Sequence, residues 1–229
     1  MPQPSETPVN TAYAPPPWKL TGRGWMLLYR FDADFVRQVG QGAPYADGDF
    51  KGGVGAVMLL DYHTSPVGPY QELLLVPGVF GHGRGRYHSV TTIYVSTQAS
   101  LENGRDNWGV PKQLANFHIT QHDERTMQFT AAQSGDVFFN ATLESGLLRF
   151  PVNTSLVPKP LSPKLLQQHP DGHLLVTAPY AAGVIGPAGT VKFIQAEGDA
   201  FPDVSEQTPI GVVEWVSLRL TFPAPRTLA

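Results

Sequence analysis

A chain of 229 residues is long enough for one sizeable core, and 23 glycines with 22 prolines argue against a helical bundle. A net charge of −3 supplies no basic field for nucleic acid, and the lack of cysteine excludes disulfides, thiolate nucleophiles and Cys-bound metals while suiting a reducing compartment. No apolar run approaches the roughly 18–20 residues of a membrane helix, so the expectation is a cytoplasmic protein that partners neither membrane nor nucleic acid.

Residues 1–14 lack both a basic start and an apolar stretch, so they read as a flexible arm rather than a signal peptide. The arm docks near Pro15-Pro16-Pro17-Trp18, and residues 15–229 form a single domain. Trp18 to Phe31 is the first strand region. Phe31, Phe35, Val36 and Val39 then fall on one helical face behind Asp32 as N-cap, which predicts a helix of about two turns. Gly40 to Gly53 is loop. Val54 to Tyr62 is a nearly unbroken apolar run, a strand buried on both faces.

Tyr70 to Val76 returns as a strand with Glu72 near its start. The simplest reading of that carboxylate is an exposed strand end; the informative one is an acid held among apolar neighbours. Gly81-His82-Gly83-Arg84-Gly85-Arg86 lacks the spacing of a phosphate loop and reads as a mobile hairpin loop before a strand at Ser89 to Ser96.

Glu102 to Ala115 follows. Two later glycines and a proline punctuate it, predicting a shaped loop with little helix. Lys112 stands in it behind Pro111, close to Leu114 and Ala115, far from the charge-rich segments that usually carry lysines. An antiparallel meander runs through Phe117 to His122, Met127 to Gln133 and Val137 to Leu143. Ser162 to Gln168 reads as a short capped helix with proline in its first turn. His173 to Ala178, Thr190 to Glu197 and Ile210 to Phe222 supply the last strands. The fold class is therefore a β-dominated α+β domain, its strands closing into a barrel or stacking as sheets, with two or so short helices.

Seven histidines invite a metal. His118 and His122 share a strand face but stand about 13 Å apart at strand rise, too far to hold one ion. His82 and His88 flank the glycine segment without a carboxylate pattern, so no metal and no other cofactor is expected. What remains is a lysine in apolar surroundings, an acid leading an apolar strand, and arginines near glycine at Arg23 and Arg105. Such a set suits imine chemistry. A neutral amine attacks a ketone, an acid shuttles protons for dehydration, and a guanidinium holds the substrate carboxylate. A free lysine of pKa about 10.4 is neutral in only about one molecule in a few thousand at neutral pH, and closing that gap takes about 5 kcal/mol.

Three segments in order resemble the acetoacetate decarboxylase family, a family known for its activated lysine. Gly104-Arg105 followed by Gly109-Val110-Pro111-Lys112-Gln113-Leu114 is similar to the family's Schiff-base loop, which implies that Lys112 is the imine nucleophile. Gly68-Pro69-Tyr70-Gln71-Glu72 resembles the segment whose glutamate lines the active site, which implies that role for Glu72. Pro17-Trp18-Lys19-Leu20-Thr21-Gly22-Arg23 resembles the first strand, which carries an active-site arginine, here Arg23. Arg105, Trp108 and Tyr94 are candidates for shaping the pocket.

Two positions depart from the family pattern. Gln113 stands where the decarboxylases carry a second lysine, and Val57 where the spacing puts a second glutamate. The resemblance implies a cofactor-independent Schiff-base lyase, homo-oligomeric, that decarboxylates a small β-keto acid such as acetoacetate. The alternatives are a pyruvate-dependent aldolase-dehydratase using the same lysine, or a small-molecule binder without turnover.

Overall fold

The computed structural model describes residues 12–39, 49–158, 162–197 and 199–228. Strands dominate as expected: β1 (Trp18–Tyr29), β2 (Gly55–Thr64), β3 (Tyr70–Val76), β4 (Val79–His82), β5 (Gly85–His88), β6 (Thr92–Val95) and β7 (Lys112–Leu114). They continue as β8 (Asn116–Gln121), β9 (Thr126–Gln133), β10 (Asp136–Glu144), β11 (Phe150–Asn153), β12 (Leu165–Gln168) and β13 (Leu174–Thr177). The last are β14 (Tyr180–Gly186), β15 (Thr190–Ala196), β16 (Gly211–Phe222) and β17 (Arg226–Thr227). Among the described residues two α-helices accompany them, α1 (Ala33–Val39) and α2 (Gln98–Trp108), with one 3-10 turn at Thr154–Leu156.

Among the described residues the strands form three sheets, and none closes into a barrel. The largest runs β11-β14-β16-β1-β2-β3-β6-β7; a second runs β15-β10-β9-β8 and a third β17-β13-β12-β5-β4. Alternation along each strand gives the large sheet two buried faces. One face presents Trp25, Leu27, Val57, Leu59 and Leu73 to Phe129, Phe139 and Leu143 of the four-stranded sheet. The opposite face carries Trp18, Leu20, Leu60, Tyr62, Tyr70 and Leu74, which pack with Trp108 of α2 and Trp215 of β16. The unbroken apolar run of β2 is thereby explained: both of its faces meet a core.

Two local expectations need correction. The segment around Gly104 is not a loop but most of α2. Thr97 caps the helix, its side chain accepting from the Ser100 N–H, and Gly109 ends it in the left-handed region at φ 67°, its N–H donating to the Arg105 carbonyl. The glycine and proline at 109 and 111 are stop signals, not loop signals throughout. Because β6 and β7 pair in parallel, a crossover had to separate them, and α2 is that crossover.

Ser162 to Gln168 is not helical either. Its second half is β12, which pairs with β13 along its whole length and meets His88 of β5 through Leu165, so sheet pairing overrides the helical cap pattern. The glycine segment is a hairpin, as expected, formed by β4 and β5. Asp32 does cap α1, its carboxylate accepting from the Phe35 N–H.

The expected arm lies mainly outside the described residues, as does the loop expected from Gly40 over residues 40–48. Its described end is pinned to α2: the Tyr13 hydroxyl donates to Asn107 at 2.9 Å and the Ala14 N–H to Asn103 at 2.7 Å. No described helix is long and apolar enough to cross a membrane.

The core between the large and four-stranded sheets should carry most of the stability. Phe139→Ala, at a fully buried site there, should cost about 3–5 kcal/mol in denaturant unfolding. Leu147→Ala, at an exposed site, should stay within about 0.5 kcal/mol. A loss under about 1 kcal/mol at Phe139 would contradict this layering.

Candidate active site

Lys112 opens β7 and points to the same sheet face as Ile93, its partner on β6. Glu72 lies on β3, paired on one side with Leu60 of β2 and on the other with Val95 of β6. The lysine side chain therefore reaches over β6, which lies between β7 and β3, spanning two strand spacings of about 4.8 Å each to meet the acid. Lys112 Nζ stands 3.1 Å from Glu72 Oε2 and donates to Ser100 Oγ at 2.9 Å. Lys112 is 5% exposed and Glu72 6%, so the pair is withdrawn from water.

Helix α2 makes room for this side chain. Gly104 sits one turn beyond Ser100, and a Cβ added there would stand 2.6 Å from Lys112 Cδ and 2.7 Å from Cε. Glycine in mid-helix costs about 1 kcal/mol against alanine, and here it is the seat of the lysine stem. Arg105, on the neighbouring side of the helix, donates from Nε to the Lys112 carbonyl at 2.9 Å and so ties β7 to α2.

Aromatic groups complete the shell. The amine lies 5.0 Å from the Tyr70 ring centroid and 6.0 Å from that of Trp18. Tyr62 is hydrogen-bonded to Glu72, and Tyr70 to Ser100. One chain of contacts thus links Tyr62, Glu72, Lys112, Ser100 and Tyr70. Burial pushes both phenols well above their ordinary range, and the adjacent Glu72 charge adds to the effect. They remain proton donors at any physiological pH.

The pair faces a cavity of about 430 Å³ whose wall is almost wholly apolar. Trp108 lines it, packed edge-on against both Trp18 and Phe222. His88 lines it too, its pKa lowered by burial although a hydrogen bond to the Gly78 backbone partly offsets this. Chemically, the arrangement offers a buried amine, an acid within proton-transfer distance, two phenolic donors, and a dry space for an organic group.

The remaining sequence candidates lie elsewhere, and strand parity explains those on strands. Arg23 projects from the other face of β1, pairing with Asp61 at 3.3 Å and lining a separate cavity with Gln121, Glu124 and Glu214. Tyr94 points into the opposite core, its hydroxyl donating to the Ala200 carbonyl at 2.7 Å. Val57 is in that core as well; the positions of β2 that face the amine are Ala56, Met58, Leu60 and Tyr62. Gln113, adjacent to Lys112 on the strand, faces solvent. Arg105 touches the lysine only through its backbone. Of the expected set, Lys112, Glu72 and Trp108 meet at the cavity.

Sequence reasoning missed Ser100, Tyr62 and Tyr70. A signal existed for Tyr70, two residues from Glu72 and hence on its face. Tyr62 is directly opposite Tyr70, which only the strand register reveals. Ser100 needed the helix.

The buried phenols set an alkaline limit. Burial also raises Tyr29, to about 12. Unfolded tyrosines ionise near pH 10, so above that the unfolded chain sheds protons that the folded one keeps, and stability falls by about 1.4 kcal/mol per pH unit for each such group. The contribution is complete below about pH 10 and lost above it. Tyr70→Phe should flatten the alkaline limb of a stability–pH curve; an unchanged limb would show that this phenol titrates normally.

No curated protein sequence matches the chain. The family model of acetoacetate decarboxylase matches residues 1–173. Among solved structures, an acetoacetate decarboxylase from Legionella pneumophila superposes with a TM-score of 0.69 at 18% identity, covering 99% of this chain and 92% of that one. An acetoacetate decarboxylase-like enzyme from Sphingomonas wittichii gives 0.67 at 14% identity, covering 97% and 96%. The enduracididine biosynthesis enzyme MppR complexed with pyruvate gives 0.62 at 18%, covering 96% and 93%. At such identities the structural likeness speaks for the fold, and the family match, spanning most of the chain, decides membership: this protein belongs to the acetoacetate decarboxylase family.

Proposed function

We propose that the protein is a Schiff-base lyase that decarboxylates a β-keto acid through an imine on Lys112. The observation that carries this reading is the buried amine, 3.1 Å from Glu72, opening on an apolar cavity. A proton passed from the ammonium to Glu72, 3.1 Å away, leaves a neutral amine and a neutral acid. The freed amine attacks the ketone carbon. Glu72 then returns its proton to the departing hydroxyl, which leaves as water, and the iminium forms.

The bond between the carboxylate and the α-carbon breaks next, its electron pair moving into the iminium to give an enamine and carbon dioxide. Protonation of the α-carbon and hydrolysis by water restore the amine and release a ketone. In this scheme Tyr62 holds Glu72, and Ser100 holds the amine against the face of α2. The balance is one β-keto carboxylate and one proton to one ketone and one carbon dioxide.

The lining of the cavity favours this reaction over pyruvate aldol chemistry. Pyruvate keeps its carboxylate throughout and needs a lasting cationic partner, whereas a β-keto carboxylate leaves as neutral gas. Among the described residues that line the cavity, the cation is Lys112 itself, which becomes the iminium; no arginine is present. Desolvating a carboxylate there raises its energy relative to the transition state that disperses its charge.

Borohydride added with acetoacetate should leave a covalent adduct that peptide mapping places on Lys112, and Lys112→Ala should abolish it. Glu72→Gln should lower turnover by about 10²–10⁴-fold, the usual worth of a positioned acid–base group. An adduct persisting in the alanine variant would assign the chemistry to another amine. A separate check comes from the helix. Gly104→Ala should slow imine formation at least about tenfold, although helix propensity alone would add about 1 kcal/mol of stability. Unchanged imine kinetics in that variant would mean that the lysine stem has other room.

A further inference from the structure

We infer that the preferred substrate is not acetoacetate but a β-keto acid with an unbranched aliphatic tail of several carbons, and that the product is the corresponding methyl ketone. The inference rests on the Lys112 imine and extends it along the sheet. Acetoacetate has only about seven non-hydrogen atoms, whereas 430 Å³ holds about fourteen water-sized groups at roughly 30 Å³ each. Half of the cavity would stay unfilled.

The unfilled half has a direction. From the amine, same-face residues of β3 run Glu72, Leu74 and Val76, a distance of about 13 Å at strand rise. Met58 and Met26, partners across β1 and β2, lie on this track, and Ala56 and Leu28 lie one step further. Two methionines side by side give a wall that adapts to a flexible chain. Beyond the pair the track bears no charge, and His88, which also lines the cavity, is kept neutral by its burial. Exposed Val54 lies at the far end, so a long tail meets no polar stop.

The covalent step is the same: the tail remains on the ketone side of the broken bond, the carboxylate carbon leaves as carbon dioxide, and one proton enters at the α-carbon. What the tail adds is burial. Each methylene removed from water contributes about 0.8 kcal/mol, which corresponds to about fourfold in kcat/KM.

The test is a homologous series of straight-chain β-keto acids, from acetoacetate to a ten-carbon acid, with the full chain. Carbon dioxide release is corrected for the spontaneous reaction, and borohydride-trapped adducts are read by intact mass and mapped. The expected result is a kcat/KM that rises about fourfold per methylene over the first few and then levels as the track fills. Met58→Trp, which narrows the track, should reduce the ratio of long-chain to short-chain kcat/KM. A flat or falling series, with the Lys112 adduct still formed from acetoacetate, would overturn the tail and leave the imine standing. Absence of a Lys112 adduct with every acid would remove both.

Discussion

An ammonium and a carboxylate, drawn together out of water on an otherwise apolar sheet face, set the terms for this protein. A buried pair of this kind is a poor device for stability. Replacing both members by apolar groups is often neutral or stabilising by about 1–4 kcal/mol, while removing one strands the other at a cost of about 3–5 kcal/mol. The surroundings of Lys112 and Glu72 are arranged to make the pair tolerable. Ser100 accepts from the amine, Tyr62 is bonded to the acid, and Tyr70 and Trp18 turn ring faces toward the cation. Such provision is what the proposed imine chemistry requires.

The large sheet makes the arrangement possible because its two faces do different work. One is sealed by the four-stranded sheet and holds aromatic side chains such as Phe129 and Phe139 with essentially no exposure. The other is only partly covered, and the uncovered part is the cavity. Helix α2 closes the site at the amine end, anchored by the Thr97 cap, by Gly109 and by the chain at Tyr13 and Ala14. Dense packing on the sealed face holds the strand register, and the register holds Lys112 opposite Ile93 and Glu72 opposite Leu60.

Much of this was legible in residues and spacing. Lys112 stood out by its apolar company, Glu72 by its intrusion into a hydrophobic strand, and most strands by their alternation. Faces were harder. Arg23, Tyr94 and Val57 looked as near to the chemistry as Trp108 did, yet each points away, because whether a strand residue meets a partner depends on a pairing register that only the folded sheet fixes. Gln113 shows the same rule over one residue: next to the lysine in sequence, it lies on the other side of the strand. The helix was hidden for a different reason. Gly104 lowers helix propensity, and its benefit, space for a side chain eight residues later, is a tertiary one. At Ser162 to Gln168 the error ran the other way, where a local cap pattern yielded to pairing with β13.

The proposed chemistry turns on a single atom, Nζ of Lys112, being both hidden and reachable. It is most directly examined by a crystal structure of the protein after borohydride reduction with a medium-chain β-keto acid. The expected electron density is continuous from Lys112 Nζ into the ligand, with the tail lying between Met26 and Met58 and the Ser100 contact broken or lengthened. Density for an intact Lys112–Glu72–Ser100 cluster, with the adduct on a different lysine, would contradict it.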